Sequence, residues 1–137
     1  MRKTAMQMLT ALLIALSLAG CLHTGARNHE QVPSMLDQYT AKAEAAVLRG
    51  KTLEGDILDY AASKNPNVSG WFEDEGYTLR AGVVGGHAVV LVCAGDKALF
   101  EDTYCAHGTP DRDFSAGPED LPCAITMTEQ EVSAVCQ

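Results

Sequence analysis

Positive charge is scarce in this sequence. Its 137 residues include 10 lysines and arginines against 18 aspartates and glutamates, so the formal net charge at pH 7 is −8. Proteins that bind nucleic acid need a basic face to meet the phosphate backbone, and we therefore expect no nucleic-acid partner. The same acidity predicts repulsion from anionic lipid headgroups, so any contact with a membrane must come from an anchor.

The motifs of common enzyme classes are also missing. The sequence contains no phosphate-binding loop, dinucleotide fingerprint, H-E-x-x-H zinc motif or G-x-S-x-G nucleophile elbow. Of the four histidines, His23 and His29 fall in a polar N-terminal segment, which leaves His87 and His107 without a nucleophile signature beside them. We therefore expect no catalytic residues, no cofactor and no bound metal ion.

Long apolar runs are confined to the N-terminus. Arg2 and Lys3 begin a segment whose apolar residues 8–18 are followed by the small residues Ala19 and Gly20. A helix that spans a bilayer needs about 20 apolar residues, so this run is short for a transmembrane anchor. A basic start, a short apolar stretch and small residues at its end are typical of a secretory signal.

The signal ends in Leu18-Ala19-Gly20-Cys21, which resembles the lipobox of bacterial lipoproteins. The resemblance implies that residues 1–20 are a signal peptide and that Cys21 becomes the lipidated first residue of the mature chain. It also implies three acyl chains on Cys21, which would hold the protein at the membrane permanently because each buried methylene adds about 0.8 kcal/mol. Leu22, in place of an aspartate, implies sorting to the periplasmic face of the outer membrane.

Cleavage before Cys21 would leave 117 residues, with 8 basic and all 18 acidic side chains, and a net charge of −10. This length suits one domain rather than two. Residues 21–33 are mostly polar and lack an apolar period, so we expect a disordered tether there. The remainder, residues 34–137, is predicted to form a single domain.

Two helices are predicted at the start of this domain. The first is capped by Ser34 and ends at Gly50, and the second is capped by Thr52 and ends at Asn65-Pro66. Because few residues connect them, they should form an antiparallel hairpin. Their apolar stripes recur at helical spacing and consist of Leu36, Tyr39, Ala43 and Val47 in the first helix, and of Leu53, Ile57 and Tyr60 or Ala61 in the second.

The pattern changes to that of β-strands after Gly70. Residues 77–83 alternate in polarity, and residues 87–93 form an apolar, β-branched run. The Gly85-Gly86 pair between them predicts a two-residue hairpin turn, which sets Val84 opposite His87. Because residues 87–93 are apolar on both faces, we expect a central strand covered on both sides.

The rest of the chain predicts a smaller set of elements. A third strand is expected at residues 98–101, a long loop at 103–121 and a fourth strand at 123–127. Thr128 and Glu131 fit a capping box that begins a short final helix. The sum is an α+β domain, with an N-terminal helical hairpin and a short C-terminal helix packed on a small antiparallel β-sheet.

Four cysteines remain once Cys21 is assigned to lipid. An even number in an exported domain predicts two disulfides, and three pairings are open. We expect Cys105 with Cys123 and Cys93 with Cys136, because the second pair would fasten the chain end to the central strand.

One loop offers an alternative chemistry. Cys105, His107, Asp111 and Asp113 lie close together in sequence, as a metal site or a Cys-His nucleophile would require. Either role needs a thiolate, which an oxidised Cys105 cannot supply, and the spacing matches no familiar zinc motif. We favour a polar loop beside a disulfide.

Trp71 and Phe72 are the adjacent large aromatics of the chain and are followed by three acidic residues. Such a pair could anchor a protein interface, or it could close the apolar core, which is the interpretation we favour.

These features indicate a non-enzymatic accessory lipoprotein that binds an envelope protein or another envelope component. In one version, its acidic surface meets a basic enzyme as an inhibitor or immunity protein would. Two alternatives stay open: a small envelope hydrolase or metal-dependent enzyme using His107 with Asp111 or Asp113, and a passive structural lipoprotein.

Overall fold

The computed structural model describes residues 29–106, 108–117 and 120–137. The predicted signal peptide, Cys21, the tether up to residue 28, and His107 lie outside these residues. The chain divides into two units at Glu30 and Gln31, of which the second, Gln31–Gln137, is compact. Apart from a 3-10 turn at His29–Gln31, the elements belong to the second unit: α1 (Val32–Leu48), α2 (Glu54–Lys64), α3 (Pro66–Asp74), β1 (Thr78–Val84), β2 (His87–Ala94), β3 (Lys97–Thr103), β4 (Arg112–Asp113) and α4 (Glu129–Val135).

The predicted α+β class is confirmed. The four strands form one antiparallel sheet in the order β1-β2-β3-β4. Gly85 and Gly86 make the turn between β1 and β2 with φ of 58° and 82°, a backbone region that favours glycine. The register is the predicted one, with Val84 opposite His87.

Strand β2 is central and is buried on both faces, as predicted. Alternate residues Ala88, Val90 and Val92 belong to a cluster that includes core residues of α1, α2 and α3. The intervening residues Val89, Leu91 and Cys93 pack instead against the C-terminal segment, which contributes Met127, Val132 and Ile125. The sheet therefore has helices on one face and the end of the chain on the other.

The helical layer has one more helix than predicted. Helix α2 ends before Asn65-Pro66 as expected, but the same two residues begin α3. The Asn65 side chain accepts a hydrogen bond from the Val68 backbone N–H at the start of α3, and proline is favoured in a first helical turn. The dipeptide that ends one helix thus starts the next.

The helix starts also differ from the prediction. Helix α1 begins at Val32, so Ser34 lies inside it, and residues 29–33 of the predicted tether are helical. The fully buried Val32 explains this earlier start. Helix α2 has Leu53 rather than Thr52 at its N-cap.

The fourth strand is not at residues 123–127. Strand β4 comes from the predicted loop, where Arg112 pairs with Glu101 of β3. The alternation of Cys123, Ile125 and Met127 reflects packing on the covered face of β2, without a strand ladder. The buried Glu101 carboxylate holds this segment by accepting the backbone N–H groups of Thr126 at 2.9 Å and Met127 at 2.7 Å.

The predicted cysteine pairing is wrong, although two disulfides are present. The bonds join Cys93 to Cys123 and Cys105 to Cys136. Helix α4 packs beside the Gly85 turn, whereas Cys93 lies at the opposite end of β2. The distance along β2 from the turn to Cys93 is about 20 Å at ~3.3 Å per residue, but bonded cysteines have Cα atoms about 6 Å apart. Cys136, at the end of α4, therefore meets Cys105 instead.

The predicted capping box is confirmed. The Thr128 hydroxyl accepts the Glu131 backbone N–H, and the Glu131 carboxylate accepts the Thr128 backbone N–H at 2.8 Å. These contacts satisfy two N–H groups at the start of α4, which otherwise has one buried residue, Val132.

We expect Glu101→Leu to lower the free energy of unfolding by about 2 to 4 kcal/mol, because the buried Met127 N–H and the partly buried Thr126 N–H would lose a charged acceptor. Urea denaturation measures this loss. Glu73→Gln, at an exposed carboxylate, is the control and should stay within about 0.5 kcal/mol of wild type. Equal stability of the two variants would contradict the anchoring role of Glu101.

Candidate functional site

Buried polar side chains concentrate where α1 meets the sheet. Of the five buried polar residues in the described chain, Thr40 and Glu44 come from α1, and Asp102 and Thr103 from the end of β3. The side chains of Glu101 and Thr103 lie on the opposite face of the sheet, because these residues pair with Leu91 and Val89. We call the polar residues that meet at the end of α1, β2 and β3 the polar seam, which consists of Asp37, Thr40, Glu44, His87, Asp102, Thr103, Cys105 and Asp111.

Helix spacing and strand register together create the seam. Asp37, Thr40 and Glu44 recur at positions that share one face of α1. Asp102 is opposite Val90, a member of the cluster that includes α1 residues, so both side chains lie on the helical face of the sheet. Cys105 follows β3 and comes beside His87 at the start of β2.

Glu44 and His87 form the most closely connected pair of the seam. One Glu44 oxygen lies 2.9 Å from His87 Nδ1, and the other accepts the Ala88 backbone N–H at 2.7 Å. Glu44 is 7% exposed, whereas the His87 side chain is 34% exposed. Cys105 Sγ lies 4.0 Å from the same His87 nitrogen. The Glu44 carboxylate and a disulfide sulfur therefore both lie next to Nδ1 of the partly exposed His87 imidazole.

Asp102 is the least satisfied member of the seam. It is 2% exposed, and its Oδ1 has no hydrogen-bond partner. The pKa of Asp102 is raised to about 7, chiefly by burial and also by the negative charges of Asp111 and Asp37, against the opposing effect of hydrogen bonds with the Thr40 side chain and the Asp111 backbone. Asp102 therefore holds a proton in the folded protein at mildly acidic pH, where ordinary aspartates are ionised.

The candidate residues Asp111 and Asp113 are occupied in holding their own loop. Asp111 accepts the backbone N–H of Thr103 at 2.6 Å and the Thr103 hydroxyl at 2.8 Å. Asp113 accepts the backbone N–H and the hydroxyl of Ser115. His107 lies outside the described residues, so the structure does not place it relative to either carboxylate.

Three possible metal ligands do come together at the seam. His87 Nδ1 and the sulfurs of Cys105 and Cys136 lie within 4.8 Å of one another. Both sulfurs are consumed in a disulfide, and a disulfide sulfur is not the thiolate that zinc requires. In this oxidised state, only the imidazole of the three keeps a ligand atom.

Trp71 and Phe72 lie in an aromatic cluster of the helical layer. Phe72 is 1% exposed and packs edge-to-face against Tyr39 and Trp71, with centroids 6.1 and 5.0 Å apart. Trp71 is half-buried and stacks on Tyr77. Phe72 belongs to the core, so it does not serve as an interface anchor.

The two most exposed large apolar residues of the described chain lie elsewhere, at the connection between α1 and α2. Leu48 is 78% exposed and Leu53 is 67% exposed, although the sequence pattern placed Leu53 in an apolar stripe. We call residues 48–53 the hairpin tip. It also contains Arg49, which lies 5.6 Å from the Tyr60 ring centroid, and Lys51. Neither cation forms an ion pair with another described residue, whereas Arg80, Lys97 and Arg112 do.

A scan against protein-family models finds no match for this chain, and searches of curated proteins and of solved structures also find none. Within the described ranges, no helix is both long enough and apolar enough to cross a membrane.

The raised pKa of Asp102 predicts a specific dependence of stability on pH. Between about 3.8 and 7 the folded state binds a proton that the unfolded chain has released, so this residue's contribution to stability falls as the pH rises. We expect Asp102→Asn to remove that fall and to gain up to about 4 kcal/mol over wild type between pH 4 and pH 8. Urea denaturation at pH 4, 6 and 8 measures the difference.

The control for this experiment is Asp74→Asn, at an exposed aspartate, which should keep the wild-type profile. Identical pH profiles for Asp102→Asn and wild type would show that Asp102 does not hold the proton.

Proposed function

We propose that this chain is an exported lipoprotein, anchored through Cys21, whose folded domain binds an envelope protein through the hairpin tip. The lipobox-like ending of the leader supports the anchor, and Leu22 supports the periplasmic face of the outer membrane. The two disulfides support export, because such bonds persist in oxidising compartments and are rare in the cytosol.

The observation that carries the binding role is the exposure of Leu48 and Leu53. The structure buries the apolar side chains on both faces of its sheet, yet leaves these two leucines largely in water. Single exposed leucines are ordinary, but two in one short turn make an apolar contact surface that a partner can cover.

The charges around the tip indicate the partner's chemistry. Arg49 and Lys51 lie beside the leucines in a protein whose net charge is −8. A partner with an apolar pocket bordered by carboxylates would be attracted at the tip and repelled by the acidic remainder, which would set its orientation. If the partner is instead a basic enzyme, it should contact the acidic residues of the domain away from the hairpin tip.

We expect the chain to incorporate labelled palmitate in a bacterial host and Cys21→Ser to abolish the label. Globomycin should cause the uncleaved precursor to accumulate. Leu22→Asp is a matched variant that should keep the label but move the protein from outer-membrane to inner-membrane fractions on a density gradient. Normal processing under globomycin, or labelling of Cys21→Ser, would refute the anchor.

The tip is tested with a photo-crosslinking amino acid at Leu53, and with the same group at the exposed Ser133 of α4 as control. In the native envelope, we expect one dominant protein adduct from position 53 and little from 133. Exchanging both Arg49 and Lys51 for serine should lower the adduct yield by about fivefold or more, because each cation contributes a contact worth a sizeable fraction of 1 kcal/mol.

Equal yields from positions 53 and 133, or no effect of the double exchange, would refute binding through the tip. Absence of any saturable adduct would favour the passive structural lipoprotein instead.

A further inference from the structure

The two disulfides have different surroundings. Cys93 is fully buried among apolar residues of the covered face, whereas Cys123 packs against the same cluster and is partly exposed. Cys105 and Cys136 are both partly exposed. Cys136 lies at the C-cap of α4, a helix with one buried residue. Thiol–disulfide exchange requires an incoming thiolate to reach a sulfur, so the Cys105–Cys136 bond, whose two cysteines are both partly exposed, is the more accessible of the two.

The accessible disulfide also has a basic group beside it. His87 Nδ1 lies 4.0 Å from Cys105 Sγ. Glu44 contacts the same ring nitrogen at 2.9 Å and supplies a counter-charge when the ring is protonated, and its own position is fixed by the Ala88 N–H. A protonated imidazole beside a sulfur stabilises the thiolate form of that sulfur. Exchange is faster when the departing thiolate is stabilised.

We propose that Cys105–Cys136 is a thiol–disulfide exchange site for a partner that carries two thiols, with His87 stabilising the departing Cys105 thiolate. This assignment does not rest on the hairpin tip or on the lipid anchor. It gives a chemical role to the contact between the buried Glu44 and a partly exposed histidine next to a disulfide, in addition to the structural role of Glu44 as acceptor of the Ala88 N–H.

The reaction balances without any further reagent. A thiolate of the partner attacks Cys136 Sγ, the bond between Cys105 and Cys136 breaks, and Cys105 leaves as the thiolate beside His87. The partner's second thiolate then attacks the mixed disulfide and releases Cys136. The partner dithiol is oxidised to a disulfide by two electrons, and its two protons end on Cys105 and Cys136.

The first test uses the full chain in its oxidised, folded form. Limiting dithiothreitol is added, samples are quenched with N-ethylmaleimide over time, and the modified cysteines are identified by mass spectrometry. We expect Cys105 and Cys136 to be modified at least tenfold faster than Cys93 and Cys123, while circular dichroism stays unchanged. Simultaneous opening of both bonds, or earlier opening of Cys93–Cys123, would overturn the proposal.

The role of His87 is tested by substitutions that separate charge from shape. His87→Gln should slow the reduction of Cys105–Cys136 by about tenfold and require several times more dithiothreitol for half reduction. His87→Lys restores a cation beside Cys105 and should recover most of the rate, which a purely structural role of the histidine would not predict. His29→Gln serves as the histidine control and should behave as wild type.

Equal rates for His87→Gln and wild type, or equal impairment of the Gln and Lys variants, would refute the assignment to His87. Either result would leave the proposed anchor and hairpin tip unaffected, because neither involves Cys105 or Cys136.

Discussion

The covering of strand β2 on both faces is the constraint on which the rest of this domain depends. Helices α1 to α3 cover one face in a continuous apolar cluster. The other face is covered by a C-terminal segment whose described residues form one short helix and one isolated bridge to the sheet. Such a segment gains little from backbone pairing, so it is held by other means: the Glu101 carboxylate, two disulfides and a few apolar contacts.

The polar seam follows from the same architecture. Helix α1 places the buried Thr40 and Glu44 against the end of β3 and the start of β2, where backbone and side-chain groups need hydrogen-bond partners. Glu44 satisfies the Ala88 N–H, and Asp111 satisfies Thr103. Asp102 retains an unpartnered oxygen, and burying a charge without partners is costly. A proton on Asp102 relieves that cost.

The two proposed functional regions use different physical features of one domain. The hairpin tip offers apolar surface and two cations, Arg49 and Lys51, that form no ion pair with a described residue. The exchange site lies where the C-terminal helix is fastened to the sheet. The same bond that holds α4 in place is therefore the one that a dithiol can reach, which links the chemistry of Cys105 and Cys136 to the covering of β2.

Local chemistry determined much of this fold from the sequence alone. The Gly85-Gly86 turn and its register, the Thr128 capping box and the α+β class depend on neighbours in the chain. The pairing of cysteines, the site of β4 and the seam depend on which strand ends and helix faces meet across the molecule. The alternation of Cys123, Ile125 and Met127 with more polar residues results from burial of these side chains and not from backbone pairing. Asn65-Pro66 indicates in the sequence that α2 ends, but it does not reveal that α3 begins there. Only the tertiary structure brought Glu44, His87 and Cys105 together, because segments far apart in sequence contribute them.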